Sequence, residues 1–207
     1  MVIQAGTVID EYLRAMEGVG RGLSRAEMQR AVDVLYDCWR RGGVVFAAGN
    51  GGSASTATHL ACDLAKATMV PGRRRLKTVS LVDNIPLNSA WTNDSGFASV
   101  FAEQLEPWLT ERDVLVALSV HGGSGEGDAG PWSQNLPRAV ALARQRGARV
   151  IGLSGFGGGA LARDADICIV VPTDSEPLGT PLVESWHVAI HHLLCAALRR
   201  RIEEEGE

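Results

Sequence analysis

No apolar run in this 207-residue sequence approaches the roughly 20 residues that a membrane span requires, so no contact with a bilayer is expected. The early residues Asp10, Glu11 and Arg14 do not follow the plan of a secretory signal. Cysteine is sparse: Cys38, Cys62, Cys168 and Cys195 are widely spaced and form no CxxC pair, which argues against a zinc ribbon or a disulfide framework and fits reduced thiols in the cytoplasm. Neither charge sign dominates. Twenty Lys and Arg against 24 Asp and Glu give a net charge of −4, so a nucleic-acid partner is not expected. The dense basic runs, Arg73 to Arg75 and Arg199 to Arg201, read as solvated faces. Internal repeats and low-complexity linkers are also missing, as are a Walker A loop and the GxGxxG dinucleotide pattern.

What is present is ordinary globular composition, 45% hydrophobic and 21% charged, in a length suited to one buried core. We therefore expect a single domain over 1–207, with a helical segment at 1–41, an α/β core over 42–207 and a closing helix from 182 to about 205. In the helical segment Met28, Val32, Leu35 and Trp39 recur at three- and four-residue spacing, giving an apolar stripe to lay on the sheet or on a neighbouring subunit. Five short runs rich in β-branched and apolar residues follow, at 44–48, 78–82, 114–120, 150–154 and 167–171. They are apolar throughout instead of alternating, and helical patterns lie between them. The expected class is α/β, a three-layer αβα sandwich around a five-stranded parallel sheet.

Three predicted strands run directly into small-residue loops. The first leads to Gly49-Asn50-Gly51-Gly52-Ser53, with a helix expected to begin near Ser53. The third leads through Ser119 to His121-Gly122-Gly123-Ser124, and the fourth to Ser154-Gly155-Phe156-Gly157. Glycine lets backbone approach an anion, hydroxyls add donors, and a helix N-terminus favours negative charge, so a phosphate is the natural guest. In open α/β sheets ligands bind beyond the carboxyl ends of the strands. A plain glycine turn with a serine cap would account for the first loop alone, but two convergent hydroxyl-bearing loops are harder to explain that way. The stretch 122–135 reads as an insertion.

Five histidines occur: His59, His121, His187, His191 and His192. His59 and Asp63 are four apart on the helix after the first loop and share one face. Glu184, His187, His191 and His192 lie together on the last helix. At about 100° per residue His191 falls nearly above Glu184 and His192 is turned away by roughly 80°, so helical geometry alone favours His191. Carboxylates and imidazoles on helices flanking a phosphate loop are ligand types suited to zinc and similar divalent ions.

These residues resemble the SIS-domain phosphoheptose isomerases, which convert sedoheptulose 7-phosphate to D-glycero-D-manno-heptose 7-phosphate. The resemblance runs over almost the whole chain. It rests on Gly49 to Ser53 with His59, on Thr92-Asn93-Asp94 with Phe97 and Phe101, on Gly152-Leu153-Ser154-Gly155, and on the closing helix with His187 and His192. It implies a homotetramer packed through helices, with active sites between subunits. It implies phosphate bound at Ser53, Ser119 and Ser124, and sugar bound at Asn50, Gly51, Gly52, Asn93 and Asp94; His121, an imidazole that the family pattern lacks, is read as a reserve acid or a further phosphate partner. It places zinc or another divalent metal on His59, Asp63, Glu184 and His192, thereby ranking His192 above His191. The implied chemistry is aldose–ketose isomerisation through an enediolate, with Asp63 or Glu184 as base and His192 as acid.

Four departures from the family pattern stand out. Asp63 occupies a Glu position, Glu184 a Gln position, Ser119-Val120-His121-Gly122 replaces Ser-Thr-Ser-Gly, and the 123–135 segment is added. They leave room for two alternatives: a non-catalytic phosphosugar-binding regulator of a protein partner, and an isomerase of another sugar phosphate.

Overall fold

In the computed structural model, residues 5–123, 133–174 and 176–205 are described. Two helices open the chain, α1 (Ala5–Gly22) and α2 (Arg25–Arg41). Ser24 caps α2 by accepting a 3.2 Å hydrogen bond from the Glu27 amide. Gly42, in the left-handed region at φ 68°, ends it by donating its N–H to the Cys38 and Trp39 carbonyls. The chain then alternates: β1 (Val44–Gly49), α3 (Gly52–Lys66), β2 (Lys77–Ser80), α4 (Ile85–Ser95), a 3₁₀ turn (Phe97–Ser99), α5 (Val100–Leu105), β3 (Val114–Leu118), α6 (Asn135–Gln145), β4 (Arg149–Gly155), α7 (Gly159–Asp164), β5 (Ile167–Val171) and α8 (Gly179–Glu204).

The five strands form one parallel sheet in the order β2-β1-β3-β4-β5, as the uninterrupted apolar runs predict. Successive side chains enter opposite layers. Val45 and Ala47 join Leu35, Trp39, Leu60, Leu64, Ile190, Leu194 and Leu198, the layer of α2, α3 and α8. Phe46 and Ala48 join Phe101, Leu105, Leu136, Val140 and Leu161, the layer of α5, α6 and α7. Burying a side chain of this size stabilises the fold by about 1.5–3 kcal/mol. The predicted third strand stops two residues early, at Leu118, although the Ser119 amide still reaches the Leu153 carbonyl at 3.0 Å and the Val120 carbonyl accepts from Gly155 at 2.9 Å.

The two ends of the sheet differ in chemistry. At the amino ends carboxylates pin the strands: Asp113 accepts from the amides of Val44 and Thr110, both at 2.7 Å, and Asp166 accepts from the Val150 amide at 2.7 Å. At the carboxyl ends lie the glycine loops. Outside the core, α1 leaves Val8, Ile9 and Leu13 exposed, and α4 buries no residue, with Ile85 73% exposed. Among the described residues no helix is long and apolar enough to cross a membrane.

Candidate active site

The turn from β1 into α3 is a backbone device. Gly51, at φ 57°, is the residue before the first turn of α3, and Ser53 lies inside that turn, buried, instead of serving as the cap. Asn50 is held by a reciprocal amide pair with the fully buried Asn135: each Nδ2 donates to the other's Oδ1, at 3.0 and 2.9 Å. Asn135 is the first residue of α6, so the predicted insertion ends before it. Its pairing partner lies 85 residues away, a distance no local pattern reveals.

The second loop is closed by Ser119, whose Oγ accepts from the Gly123 amide at 2.9 Å. Gly122, at φ 73°, passes so close to the Gly158 carbonyl that a β-carbon there would overlap it, and the Gly122 carbonyl accepts from the Leu161 amide at 2.9 Å. The β3 and β4 loops are thus stitched into one rim. His121 is exposed on that rim and packs its ring on Phe156, with centroids 4.4 Å apart. Phe156 itself holds a positive φ of 50°, uncommon for a bulky residue, and presses against Gly179 at the start of α8. Ser124 lies outside the described residues, as does most of the insertion. Its stems are adjacent: a β-carbon on Gly123 would lie 3.8 Å from the Ser133 carbonyl oxygen.

Further along α3 the side chains of His59 and Asp63 meet the middle of α8. The Asp63 Oδ2 atom is 3.4 Å from Nε2 of His59, 3.1 Å from Nε2 of His191 and 3.3 Å from Nε2 of His192. One ligand atom from each of the four residues lies within 4.8 Å of all the others. In a tetrahedral site with bonds of about 2.0–2.1 Å, neighbouring ligand atoms stand roughly 3.3 Å apart, so this donor set fits a zinc-type ion. His59 and His192 are half exposed, whereas His191 is fully buried. Burial, reinforced by the His192 ring, lowers the His191 pKa to about 4 against the opposing hydrogen bond with Asp63, so the ring is neutral near pH 7.

Glu184 does not join this cluster. Its carboxylate lies over Gly52, where any β-carbon would collide with it, beside the first turn of α3. The free amides and dipole of a helix start attract a carboxylate there as they would a phosphate. His187, a turn along α8, is fully buried, and burial lowers its pKa to about 4 with only weak opposition from the Ser154 backbone. It belongs to the core and not to the cluster. Asn93 and Asp94 are exposed on α4 and hydrogen-bonded to each other at 2.8 Å. The thiols of Cys38 and Cys195 are buried, which pushes both up to about 12 and keeps them protonated.

Comparison with known proteins agrees with this architecture. The SIS domain family model matches residues 10–155. A phosphoheptose isomerase of Geotalea daltonii is 33% identical over 98% of this chain and 97% of its own length. The lincomycin biosynthesis protein LmbN of Streptomyces lincolnensis is 53% identical over 82% of this chain, and the chain spans 61% of that protein. Among solved structures, the phosphoheptose isomerase of Francisella tularensis superposes with a TM-score of 0.80 at 26% identity, covering 94% of this chain and 96% of that one. That of Neisseria gonorrhoeae gives 0.78, also at 26% identity, covering 93% and 95%. With a sheet order, an anion-type loop and matches that span nearly its whole length, the chain belongs to the SIS-domain family, within its phosphoheptose isomerase branch.

Proposed function

We propose that this chain is a metal-assisted aldose–ketose isomerase of a sugar phosphate, acting on sedoheptulose 7-phosphate to give D-glycero-D-manno-heptose 7-phosphate. One observation carries the reading: the glycine loop and the imidazole–carboxylate cluster sit on the same helix. Ser53 and His59 are six positions apart, about 9 Å of helical rise, a span comparable to a phosphorylated sugar chain. Phosphate bound at one end would therefore present the carbonyl at the other.

In this reading the amides of Gly51 and Gly52 and the hydroxyls of Ser53 and Ser119 take the phosphate, with His121 beside them. Asn50, fixed by Asn135, addresses the sugar hydroxyls. His59, Asp63 and His192 would hold a divalent ion of the zinc type, which when bound polarises the substrate carbonyl. Asp63 stands at the carbonyl end of this span and serves as the base through the carboxylate oxygen that does not face the imidazoles, whereas Glu184 lies at the phosphate end, beside Gly52. Asp63 takes the proton from C1 of the ketose, leaving an enediolate; on the carboxyl group that proton exchanges with solvent before one is delivered to C2. His192 would hold the ion through Nε2, and its other ring nitrogen, Nδ1–H, would deliver a proton to the carbonyl oxygen and recover one from the C1 hydroxyl, so charge balances over the turnover.

The bare faces of α1 and α4 support a homotetramer, in which Asn93 and Asp94 on α4 reach the site of a neighbouring subunit. Four unpaired thiols fit a cytoplasmic setting. The relative named for lincomycin biosynthesis favours a second reading, the same chemistry on another sugar phosphate. One experiment addresses both: the protein is incubated with five- to seven-carbon ketose phosphates, with and without zinc, in D₂O. The expected result is an aldose phosphate carrying deuterium at C2. Failure of every ketose phosphate with zinc present would remove the isomerase reading.

A further inference from the structure

The resemblance assigns four metal ligands, and three of them, His59, Asp63 and His192, are gathered in the fold. The fourth, Glu184, lies at Gly52, and the space beside Asp63 is filled by an imidazole. We infer that His191 is the fourth metal ligand of this chain in place of Glu184, making a centre of three imidazoles and one carboxylate. The inference rests on the metal-assisted reading above and specifies its ligand set.

Distance, direction and burial point the same way. Of the three imidazoles, His191 makes the shortest approach to Asp63 Oδ2, 3.1 Å from Nε2, and its ring lies edge-on to both neighbours, 4.6 Å from His59 and 4.2 Å from His192. The ring is fully buried, and its Nδ1 has no hydrogen-bond partner among the described residues. Its polar engagement is therefore through Nε2, the atom aimed into the cluster. A buried ring with little rotational freedom is a preorganised ligand, whereas Glu184 would have to leave the α3 N-terminus to bind.

Two consequences follow from the charges. A dication with one carboxylate keeps a net positive charge, while a second carboxylate would neutralise it, so the His191 centre polarises a carbonyl more strongly. Three nitrogens also favour zinc, cobalt or nickel over magnesium and manganese. Glu184 is then left unligated beside the substrate loop.

The test uses the full-length protein loaded with zinc. X-ray absorption at the zinc edge, which counts imidazoles by their multiple scattering, should find three in the wild type. His191→Leu, close in volume to the ring, should reduce the count to two and weaken zinc binding at least about 100-fold, since losing a group that merely supports a ligand costs roughly 10–100-fold. His191→Asn provides a second variant should Leu disturb folding, checked by circular dichroism. Glu184→Gln should leave three imidazoles and a zinc affinity within about threefold of wild type, an estimate that follows from its taking no part in ligation. Two imidazoles in the wild type, or zinc lost from Glu184→Gln but kept by His191→Leu, overturns this ligand set while leaving the isomerase standing if ketose phosphate is still converted. A wild type that takes up no zinc overturns the centre and the metal-assisted reading together.

Discussion

The anion loop and the imidazole cluster share α3 but are built from different materials. The loop is backbone: consecutive residues 49–53, and the rim at 119–123, where the absence of β-carbons at Gly52 and Gly122 makes the shape. The cluster is side chain: His191 meets Asp63 across 128 residues of sequence. The first tolerates little added bulk, and the second little change of ligand type. A site divided this way would let single substitutions on α3 and α8 change the cluster without reshaping the proposed phosphate loop.

His192→Ala strikes the cluster and gives the sharpest separation. Turnover should fall about 10²–10⁴-fold, the usual yield of acid–base groups, while sugar-phosphate affinity measured by calorimetry stays within a few-fold. Equal losses of both would erase the distinction between the two regions. Gly122→Ala strikes the rim, forcing a β-carbon onto the Gly158 carbonyl at a left-handed φ. We expect a stability loss of about 3 kcal/mol in urea unfolding, with metal affinity of the surviving folded fraction unchanged.

Acid should act on the α8 side. The His187 pKa is about 4 in the fold, against about 6.5 for a free ring. Between those values the unfolded chain binds the extra proton, so the contribution of this residue is complete above pH 6.5 and disappears as pH falls toward 4. Its full size is on the order of 3 kcal/mol. His187→Leu should flatten the fall in Tm across that window, and an identical pH profile would show that this ring is not the sensor. The smallest effect sharpens the loop: Asn135→Ala leaves the Asn50 amide unpaired, costing about 1–2 kcal/mol, and should raise KM more than it lowers kcat.

How much of this could be read beforehand depends on how local each feature is. The five strands, the parallel sheet and the first loop were visible because apolar runs and glycine clusters are contiguous. The apolar run through Val120 predicts a longer β3, which ends at Leu118 because Ser119 and Val120 turn into the rim while still bonded to the Leu153 carbonyl and the Gly155 amide. Helical phase singled out His191, the resemblance singled out His192, and the fold brings both to Asp63 because adjacent residues can converge on a point beside a helix although their Cα positions differ by about 100°. Asn135 gave no signal, since an asparagine at a helix start ordinarily caps it.

The sequence alone determined the layered α/β class, the place of the glycine loop and the ligand types available, because hydrophobic period and glycine placement act over a few residues. Tertiary structure decided which groups meet: the packing of α3 against α8 sets Asp63 among three imidazoles and lays Glu184 over Gly52. That outcome depends on the relative rotation and offset of two helices, quantities fixed by the core between them and not by either segment itself.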